Sequence, residues 1–274
     1  MDPSSRGPVL QHRFRRRAVR GEVYRGDALA FLKDIVTDSA NIVFLDPPFN
    51  LGKVYDASRP NQDRRNPDVY RQWMLDILSE SSRILAPGGA LYLYHLPAWA
   101  MSFGAALADR LELRHWIAVS LKNGFARGDR LYPAHYALLY FTNGTPSAFR
   151  RPRIKPAHCR HCDELVKDYG GYTSIIKKKG INLSDFWEDV SPMRHSSVKH
   201  RPQNELPPLI AKRVMQISGR RNALLVDPFA GSGGVVLAAV EAGLRFKACD
   251  IVQANCSLTI RRLAEFKTHS RGGK

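Results

Sequence analysis

The chain is short of acidic residues and of cysteine, and it has no long apolar run. Its apolar stretches fall well below the roughly 20 residues that a membrane-spanning helix needs. No apolar segment follows the basic residues near the N-terminus, so a secretory signal is not expected. Four cysteines in 274 residues are too few for a disulfide framework. These absences argue against membrane-spanning and disulfide-rich secreted proteins, and they favour a reducing, cytoplasmic setting.

The charge balance is strongly basic. Lys and Arg number 42 against 25 Asp and Glu, which gives a formal net charge of +17 and a pI near 10.0. Such an excess favours a polyanionic partner, and since no basic amphipathic helix indicates a membrane surface, we expect nucleic acid. With 44% hydrophobic residues, the chain is expected to bury a sizeable core, as one large domain or one domain with an insertion.

Apolar runs and amphipathic stretches alternate along most of the chain. This alternation is typical of strands followed by helices, and it predicts an α/β fold with a mostly parallel, doubly wound sheet. Strands are expected at residues 21–25, 42–45, 90–94, 116–121, 136–141, 223–226 and 245–249, and helices near 29–35, 69–84, 98–110, 206–217, 235–242 and 254–266. A proline and two glycines at 87–89 are expected to end the second helix.

Two parts of the chain depart from this alternation. Residues 1–20 are rich in Arg, Pro, Gly and Ser without periodicity, which predicts a flexible basic arm that touches a phosphate backbone or is a solvated tail. Residues 145–199 hold basic clusters and only short apolar pieces, which predicts an inserted subdomain. The main domain is then expected in two halves, 21–144 and 200–268, before a basic tail at 269–274.

The predicted strand at 42–45 ends at Asp46-Pro47-Pro48-Phe49. Ligands of open α/β sheets bind at the carboxyl ends of the strands, so this carboxylate in a turn stiffened by two prolines is a candidate reaction centre. A strand that ends in Asp-Pro is also common turn chemistry. Taken alone, the motif leaves both interpretations open.

A second candidate site is the sequence DPFAGSGG, which follows the predicted strand at 223–226. Its glycines allow backbone N–H groups to approach a ligand closely at the start of a helix. It has neither the Lys-Ser or Lys-Thr of a P-loop nor the G-x-G-x-x-G of dinucleotide folds. Asp250, at the end of the next predicted strand, is placed to accept hydrogen bonds from two ribose hydroxyls. Alone, DPFAGSGG fits any adenosine-cofactor fold or a structural turn.

The two motifs in this order resemble the amino-methyltransferases of DNA that use S-adenosylmethionine, and the arrangement looks like the beta group of that family. The resemblance covers residues 21–144 and 200–266, and it implies a circularly permuted, Rossmann-like fold of the class I methyltransferase type. Gly26-Asp27 is similar to the motif beside the cofactor adenine. The segment HRPQNELP is similar to H-P-x-Q-K-P, with Asn-Glu where Lys is usual. The cofactor-binding residues that the resemblance implies are Asp27, Asn204, Asp227, Phe229, Gly231, Ser232, Gly233 and Asp250.

The chemistry that the resemblance implies is methylation of an amino group on a base flipped out of duplex DNA. Asp46 and the Pro47 carbonyl would accept hydrogen bonds from the amine, while Phe49 stacks on the base. The family tends to use Asp here for N6 of adenine and Ser for N4 of cytosine, so Asp46 favours adenine, with cytosine as the alternative. An RNA substrate and a DNA-binding protein with a disabled methyltransferase fold are further alternatives.

The partners that the resemblance implies are double-stranded DNA, a second copy of the chain and a cognate restriction enzyme, with a nucleoid-associated location. In the predicted insert, six basic residues are candidates for phosphate contacts: Arg150, Arg151, Arg153, Lys177, Lys178 and Lys179. A solvated loop is the alternative for the three lysines.

The predicted insert also contains a pair of cysteines, Cys159 and Cys162, with the spacing of half a zinc site. No second pair with this spacing occurs in the sequence. A full ligand set would need nearby histidines, which are His158, His161, His195 and His200. A reduced, metal-free turn is the favoured interpretation.

Overall fold

The computed structural model describes residues 7–52, 64–120, 129, 131–156, 158–159, 161–165, 169–190 and 205–266. The elements in chain order are β1 (Val9–Arg16), β2 (Val19–Arg25), α1 (Ala28–Lys33), β3 (Ala40–Leu45), α2 (Pro67–Ile84), β4 (Leu85–His95), α3 (Pro97–Ala108), β5 (Glu112–Ser120), β6 (His135–Thr142), β7 (Arg153–Ile154), α4 (Thr173–Lys179), β8 (Ile181–Asn182), β9 (Phe186–Trp187), α5 (Pro208–Ser218), β10 (Leu224–Asp227), α6 (Gly234–Glu241), β11 (Arg245–Asp250) and α7 (Gln253–Glu265). No helix among these residues is long and apolar enough to cross a membrane.

The described residues form one large sheet in the order β1-β2-β11-β10-β3-β4-β6-β5-β9. The five strands from β2 to β4 in this order run parallel, and β6 runs antiparallel to both of its neighbours. The predicted α/β fold with a mostly parallel sheet is confirmed. The circular permutation stays a prediction.

Strand β3 shows why the sheet is covered on both faces. Ile42 and Phe44 lie in one buried cluster with α5, α6 and α7, whereas Val43 and Leu45 lie in a second cluster with α1, α2 and α3. All four side chains are fully buried. Four consecutive apolar residues therefore correspond to a strand between two helical layers.

Strands β3 and β10 are parallel neighbours in the middle of the sheet. Ile42 pairs with Leu225, and Val43 pairs with Val226. The residues that follow these two strands therefore leave the sheet side by side at its carboxyl edge. On the other side of β10 lies β11, so the turns after β3, β10 and β11 form a continuous edge.

The prediction of a flexible arm over residues 1–20 is wrong for the part that the structure describes. Strand β1 pairs antiparallel with β2 and closes one side of the sheet. Phe14 is buried against Phe246, with ring centroids 5.9 Å apart, while Arg13 and Arg15 are exposed on either side of it. A basic edge strand with one buried aromatic residue has too little apolar alternation to be recognised from sequence.

The end of α2 also differs from the prediction. The helix ends at Ile84, before the Pro-Gly-Gly sequence, and Leu85 already pairs with Ala40 of β3. Gly88, with φ +72°, forms an irregularity inside β4, where its N–H donates to the carbonyl of Asn143 at 2.6 Å. The prediction that the helix ends at residues 87–89 is therefore wrong, because the left-handed Gly88 lies inside a strand.

The predicted insert is partly built into the main sheet. Strand β9 pairs in parallel with β5, where Phe186 lies beside Ala118 and Trp187 beside Val119. Trp187 is fully buried, and the Arg213 side chain of α5 lies over its ring at 5.0 Å. Ahead of β9, strands β7 and β8 form a small separate antiparallel pair. The division of the chain into domains at residues 144 and 199 stays a prediction.

Candidate active site

The first half of the site is the turn after β3, which we name the catalytic turn and define as residues 46–49. Asp46 is half-buried, and the turn leads into Phe49, which is buried. Burial, together with the negative charge of Asp46, raises the pKa of Tyr94 and of Tyr136. Both phenols therefore stay protonated beside the carboxylate and are available as hydrogen-bond donors.

The ring of Phe49 lies within an aromatic cluster. Its centroid is 4.8 Å from that of His95, 5.7 Å from Tyr136 and 6.0 Å from Tyr94. These neighbours come from β4 and β6 and were not predicted as site residues, because aromatic residues in strands are ordinary core residues. For the two neighbours from β4, the alternation of tyrosines in the sequence LYLYH was the available signal. The predicted stacking of Phe49 on a base stays a prediction.

The catalytic turn is held from behind by α2. The Tyr70 hydroxyl lies 2.6 Å from the Pro48 carbonyl oxygen and 2.7 Å from Nε2 of His95. Both Tyr70 and His95 are fully buried, and burial lowers the pKa of His95 to about 3. His95 is therefore a neutral hydrogen-bonding residue at physiological pH, not a general base.

The second half of the site is the glycine turn, which we define as residues 227–234 and which runs from the last residue of β10 to the first residue of α6. Asp227 is fully buried, and its carboxylate accepts a hydrogen bond from the Phe229 N–H at 3.0 Å. Burial raises the pKa of Asp227 to about 8, the Phe229 N–H opposes this, and the charges of Asp46 and Asp250 add to it. A buried carboxyl group beside two other carboxylates would be stabilised in its charged form by a cationic ligand.

Helix α7 fixes the conformation of the glycine turn. Thr259 Oγ1 donates to the Gly231 carbonyl at 3.2 Å, and the Arg262 guanidinium donates to the Ser232 carbonyl at 2.5 Å. Gly233 has φ +79°, a left-handed conformation that favours glycine. A side chain at this position would lie 2.8 Å from Thr259. The requirement for glycine at 233 therefore comes from helix packing as well as from backbone conformation.

Asp250 joins β11 to the glycine turn. Its carboxylate accepts hydrogen bonds from the Gly231 N–H at 2.8 Å, the Val252 N–H at 2.8 Å and the Asn255 side-chain amide at 3.1 Å. The residue lies where the sequence placed it, at the end of the strand next to β10. Binding to ribose hydroxyls stays a prediction.

Asp27 lies beside Asp250 at the same edge of the sheet. The Gly26 N–H donates to the Asp250 carbonyl at 3.1 Å, and the Asp27 carboxylate caps α1 by accepting hydrogen bonds from the N–H groups of Leu29 and Ala30 at 2.9 and 3.1 Å. The structure thus brings Asp27, the glycine turn, Asp250 and the catalytic turn to one edge. The predicted cofactor residue Asn204 lies outside the described residues.

The basic residues of the predicted insert do not share one environment. Arg150 donates from Nε to the Gln216 carbonyl at 3.1 Å and from its terminal nitrogen to the Gly219 carbonyl, so it holds the C-terminal end of α5. Arg153 donates to the Gly180 carbonyl at 2.8 Å, next to the end of α4. The other four of the six predicted basic residues are exposed, and no side-chain contact with a backbone carbonyl is seen for them in the described part of the chain. They are Arg151, Lys177, Lys178 and Lys179.

The cysteine pair gives no support to a metal site. Among the described residues, no group of three or more His, Cys, Asp or Glu side chains is arranged to hold an ion. His158 Nδ1 instead lies 2.8 Å from the Asp163 carbonyl oxygen, in a turn where the Cys159 carbonyl accepts from the Asp163 N–H. His195 and His200 lie outside the described residues.

Comparison with known proteins shows the family of the chain. A family model described as DNA methylase matches residues 40–261, which include both turns. The chain belongs to the DNA methylase family. It is 37% identical over 244 residues to the Type II methyltransferase M.BamHI of Bacillus amyloliquefaciens, covering 89% of this chain and 57% of that protein. It is also 24% identical to the DNA adenine methyltransferase YhdJ of Escherichia coli, covering 88% of this chain and 82% of YhdJ.

Similarity to solved methyltransferase structures shows the same fold. The PvuII DNA methyltransferase (cytosine-N4-specific) superposes with a TM-score of 0.62 at 14% identity, over 91% of this chain and 87% of that one. TTHA0409 of Thermus thermophilus, solved in complex with S-adenosyl-L-methionine, superposes with a TM-score of 0.58 at 19% identity, over 89% and 94%. The methylase chain described here spans 57% of the length of M.BamHI and 62% of that of M.HpaI of Haemophilus parainfluenzae.

Proposed function

We propose that this methylase transfers a methyl group from S-adenosylmethionine to the N6 amino group of adenine in double-stranded DNA. The observation that carries the proposal is the position of the two turns. The catalytic turn follows β3 and the glycine turn follows β10, and these strands are parallel neighbours. An amine held at Asp46 would therefore lie next to a ligand held at the glycine turn.

The residues at the glycine turn fit S-adenosylmethionine. This cofactor carries a positive sulfonium and a positive amino group, and the edge of the sheet presents Asp27, Asp227 and Asp250 in a protein whose net charge is +17. Burial and the charges of Asp46 and Asp250 raise the pKa of Asp227, and among the described residues no positive group offsets this shift. Asp27, Asp250 and the backbone of Gly231 to Gly233 are the groups that would hold the cofactor, and when bound it supplies an electrophilic methyl group.

The catalytic turn supplies acceptors for the substrate amine. The amino nitrogen of adenine is a weak nucleophile because its lone pair is delocalised into the ring. The Asp46 carboxylate and the Pro47 carbonyl would accept hydrogen bonds from the two N–H groups of this amine. These bonds would draw the nitrogen towards a tetrahedral geometry, with its lone pair directed at the methyl group. Asp46 would also accept the proton that the amino nitrogen releases when it gains the methyl group that the cofactor supplies.

The aromatic and basic residues complete the proposal. A target base leaves the duplex at a cost of a few kcal/mol, and stacking on aromatic side chains offsets part of it. Phe49, Tyr94 and Tyr136 form the aromatic cluster beside Asp46. The exposed basic residues of the insert, Arg151 and Lys177 to Lys179, are proposed to contact DNA phosphates.

Nucleoside analysis tests the proposal directly. The protein is incubated with unmethylated genomic DNA and methyl-labelled cofactor, the DNA is digested, and the labelled nucleoside is identified by mass. We expect N6-methyldeoxyadenosine, lost in Asp46→Ala and retained in Asp109→Ala, which removes an exposed carboxylate at the end of α3. Label on N4 of cytosine would assign cytosine methylation instead, and no label at all on the DNA would refute the proposal.

The assembly and partners are also proposals. The name Type II methyltransferase of M.BamHI suggests that a restriction enzyme accompanies this chain as well, and the resemblance to the beta group suggests a homodimer. Light scattering on the purified protein tests the dimer, and a mass of about one chain at micromolar concentration would contradict it.

A further inference from the structure

The catalytic turn is attached to the protein core through the side chain of Tyr70. Its hydroxyl lies 2.6 Å from the Pro48 carbonyl oxygen and 2.7 Å from His95 Nε2. Tyr70 lies in the first half of α2, more than 20 residues after the turn, and its ring packs edge-on against Trp99 with centroids 4.9 Å apart. The contact therefore joins the turn to two helices and to the end of β4.

The direction of each hydrogen bond follows from the backbone next to His95. The Leu96 N–H donates to His95 Nδ1 at 2.8 Å, so Nδ1 carries no proton. In a neutral imidazole the other nitrogen, Nε2, then carries the proton and donates it to the Tyr70 oxygen. The Tyr70 hydroxyl is left to donate to the Pro48 carbonyl. Leu96, His95, Tyr70 and Pro48 form one chain of hydrogen bonds with a single direction.

Between ψ of Asp46 and ψ of Pro48, this chain of hydrogen bonds acts on the one backbone torsion that the sequence leaves soft. The pyrrolidine rings fix φ of Pro47 and of Pro48, and a following proline restricts ψ of Asp46 and of Pro47. No proline follows Pro48, so its ψ is free of that restriction. A hydrogen bond to the Pro48 carbonyl fixes that angle, and with it the direction in which the chain continues into Phe49.

We propose that Tyr70 is a positioning residue for methyl transfer, which orients the catalytic turn through the Pro48 carbonyl and is itself oriented by His95. This inference rests on the proposed function. Tyr70 reaches neither substrate nor cofactor in this role. It keeps the Asp46 carboxylate and the Pro47 carbonyl in the arrangement that accepts both hydrogens of the amine, so its loss affects the rate of transfer more than cofactor binding.

The variant Tyr70→Phe removes the hydroxyl and retains the ring. A matched control is Tyr92→Phe, since Tyr92 is also fully buried, and its hydroxyl lies 2.7 Å from Ser218 Oγ on the other side of the sheet. For Tyr70→Phe we expect kcat to fall about tenfold, with the KM and Kd for S-adenosylmethionine within about twofold of wild type. For Tyr92→Phe we expect kcat to stay within about twofold of wild type, although Tm falls by about as much as in Tyr70→Phe.

Hydrogen exchange gives a readout that does not depend on activity. The Pro48 carbonyl and the Phe49 N–H belong to the same peptide unit. When the carbonyl loses its hydrogen bond to Tyr70, the N–H therefore becomes more mobile as well. Exchange at Phe49 and Asn50 should become faster in Tyr70→Phe and stay unchanged in Tyr92→Phe.

Three results would overturn the inference: unchanged exchange at Phe49 in Tyr70→Phe, equal kcat values for this variant and wild type, or equal losses of kcat in both tyrosine variants. Absence of methylation in the wild-type protein would instead refute the proposed function, and the exchange measurement would still decide whether Tyr70 orients the turn.

Discussion

Asp46 follows β3 and Asp227 is the last residue of its parallel neighbour β10, and the charge of Asp46 contributes to the raised pKa of Asp227. The larger cause is the burial of Asp227, which is 1% exposed. One carboxyl group is thus half-buried and suited to accept hydrogens from an amine, while the other is kept protonated near neutral pH. Similar residues at the ends of adjacent strands have different chemistry because their environments differ.

The pH dependence of stability is the first prediction. Between pH 3.8 and about 8, folded Asp227 keeps a proton that the unfolded chain has released, so stability falls as pH rises through this range, by about 1.4 kcal/mol per pH unit. Unfolded His95 takes up a proton only below about 6.5, and this opposing effect is absent above that value. From pH 6.5 to 8 we therefore expect wild type to lose about 2 kcal/mol of unfolding free energy.

Urea unfolding at pH 6.5, 7.25 and 8 measures this loss. In Asp227→Asn the position cannot titrate, so the fall in unfolding free energy should be absent or much smaller. Asp68→Asn, a change at an exposed residue of the first turn of α2, is the control and should show the wild-type slope. Parallel slopes for wild type and Asp227→Asn would show that Asp227 is ionised throughout.

The adjacent glycines at 233 and 234 give a second prediction. Gly233→Ala combines a left-handed φ of +79° with a contact of 2.8 Å to Thr259, so we expect a loss of about 2 kcal/mol in unfolding free energy and weaker cofactor binding. At Gly234, the first residue of α6, a methyl group would have no heavy atom within 4 Å. Gly234→Ala should therefore be neutral or slightly stabilising.

Denaturant midpoints and calorimetric titration with S-adenosylmethionine check both variants. Adding Thr259→Ser to Gly233→Ala removes the methyl group of the threonine, and we expect only a partial recovery of stability, because the hydroxyl oxygen at 2.8 Å and the strain of the left-handed backbone remain. Equal midpoints for Gly233→Ala and Gly234→Ala would contradict the packing argument.

The sequence was sufficient to predict the strands that end at the site. It was insufficient to predict the side-chain contacts that support the turns after those strands. Ile42 to Leu45 are apolar in succession because helices cover both faces of β3, and this pattern is local. The contact between Tyr70 and His95 joins residues 25 positions apart, each of which would be ordinary in a buried core. Strand β1 was missed for a different reason, since it is the edge strand of the sheet and exposes arginines on both sides of Phe14.

Two consecutive arginines of the insert, Arg150 and Arg151, are expected to have different roles, one in stability and the other in contact with DNA. Arg150 donates to the Gln216 and Gly219 carbonyls, whereas the Arg151 guanidinium lies exposed, 5.7 Å from the ring of Phe149. We expect Arg150→Ala to lower the unfolding free energy by about 1 kcal/mol, because the carbonyls at the end of α5 lose their donor. Arg151→Ala should leave stability unchanged.

DNA binding should show the opposite pattern for the same pair. If Arg151 contacts a phosphate, Arg151→Ala lowers the slope of log K against log salt by about 0.9, and Arg150→Ala leaves the slope unchanged. Fluorescence anisotropy with a labelled duplex at several salt concentrations measures both slopes. If the slope of log K against log salt falls only for Arg150→Ala, then Arg150 contacts a phosphate, as the sequence suggested.

The ion pair between Arg213 and Asp189 gives the last prediction, because it joins the end of the insert to the half of the domain that carries the glycine turn. Arg213 is 3% exposed and makes two parallel hydrogen bonds of 2.8 and 2.5 Å to the Asp189 carboxylate, with its guanidinium over Trp187. Asp189 is half-exposed, so the pair is worth less than a fully buried one. We expect Arg213→Met to lose about 2 kcal/mol of unfolding free energy.

The position of the residues that lose protection from hydrogen exchange in Arg213→Met shows whether the ion pair holds β9 beside β5 or stabilises the domain as a whole. Hydrogen exchange should become faster at residues 186–190 before it does in β3 or β10, because β9 depends on this contact to stay beside β5. Glu112→Gln, which removes the exposed partner of Arg114, is the control and should cost less than about 1 kcal/mol. A uniform increase in exchange over the sheet would mean that Arg213 stabilises the domain as a whole, and that β9 is not held by this ion pair in particular.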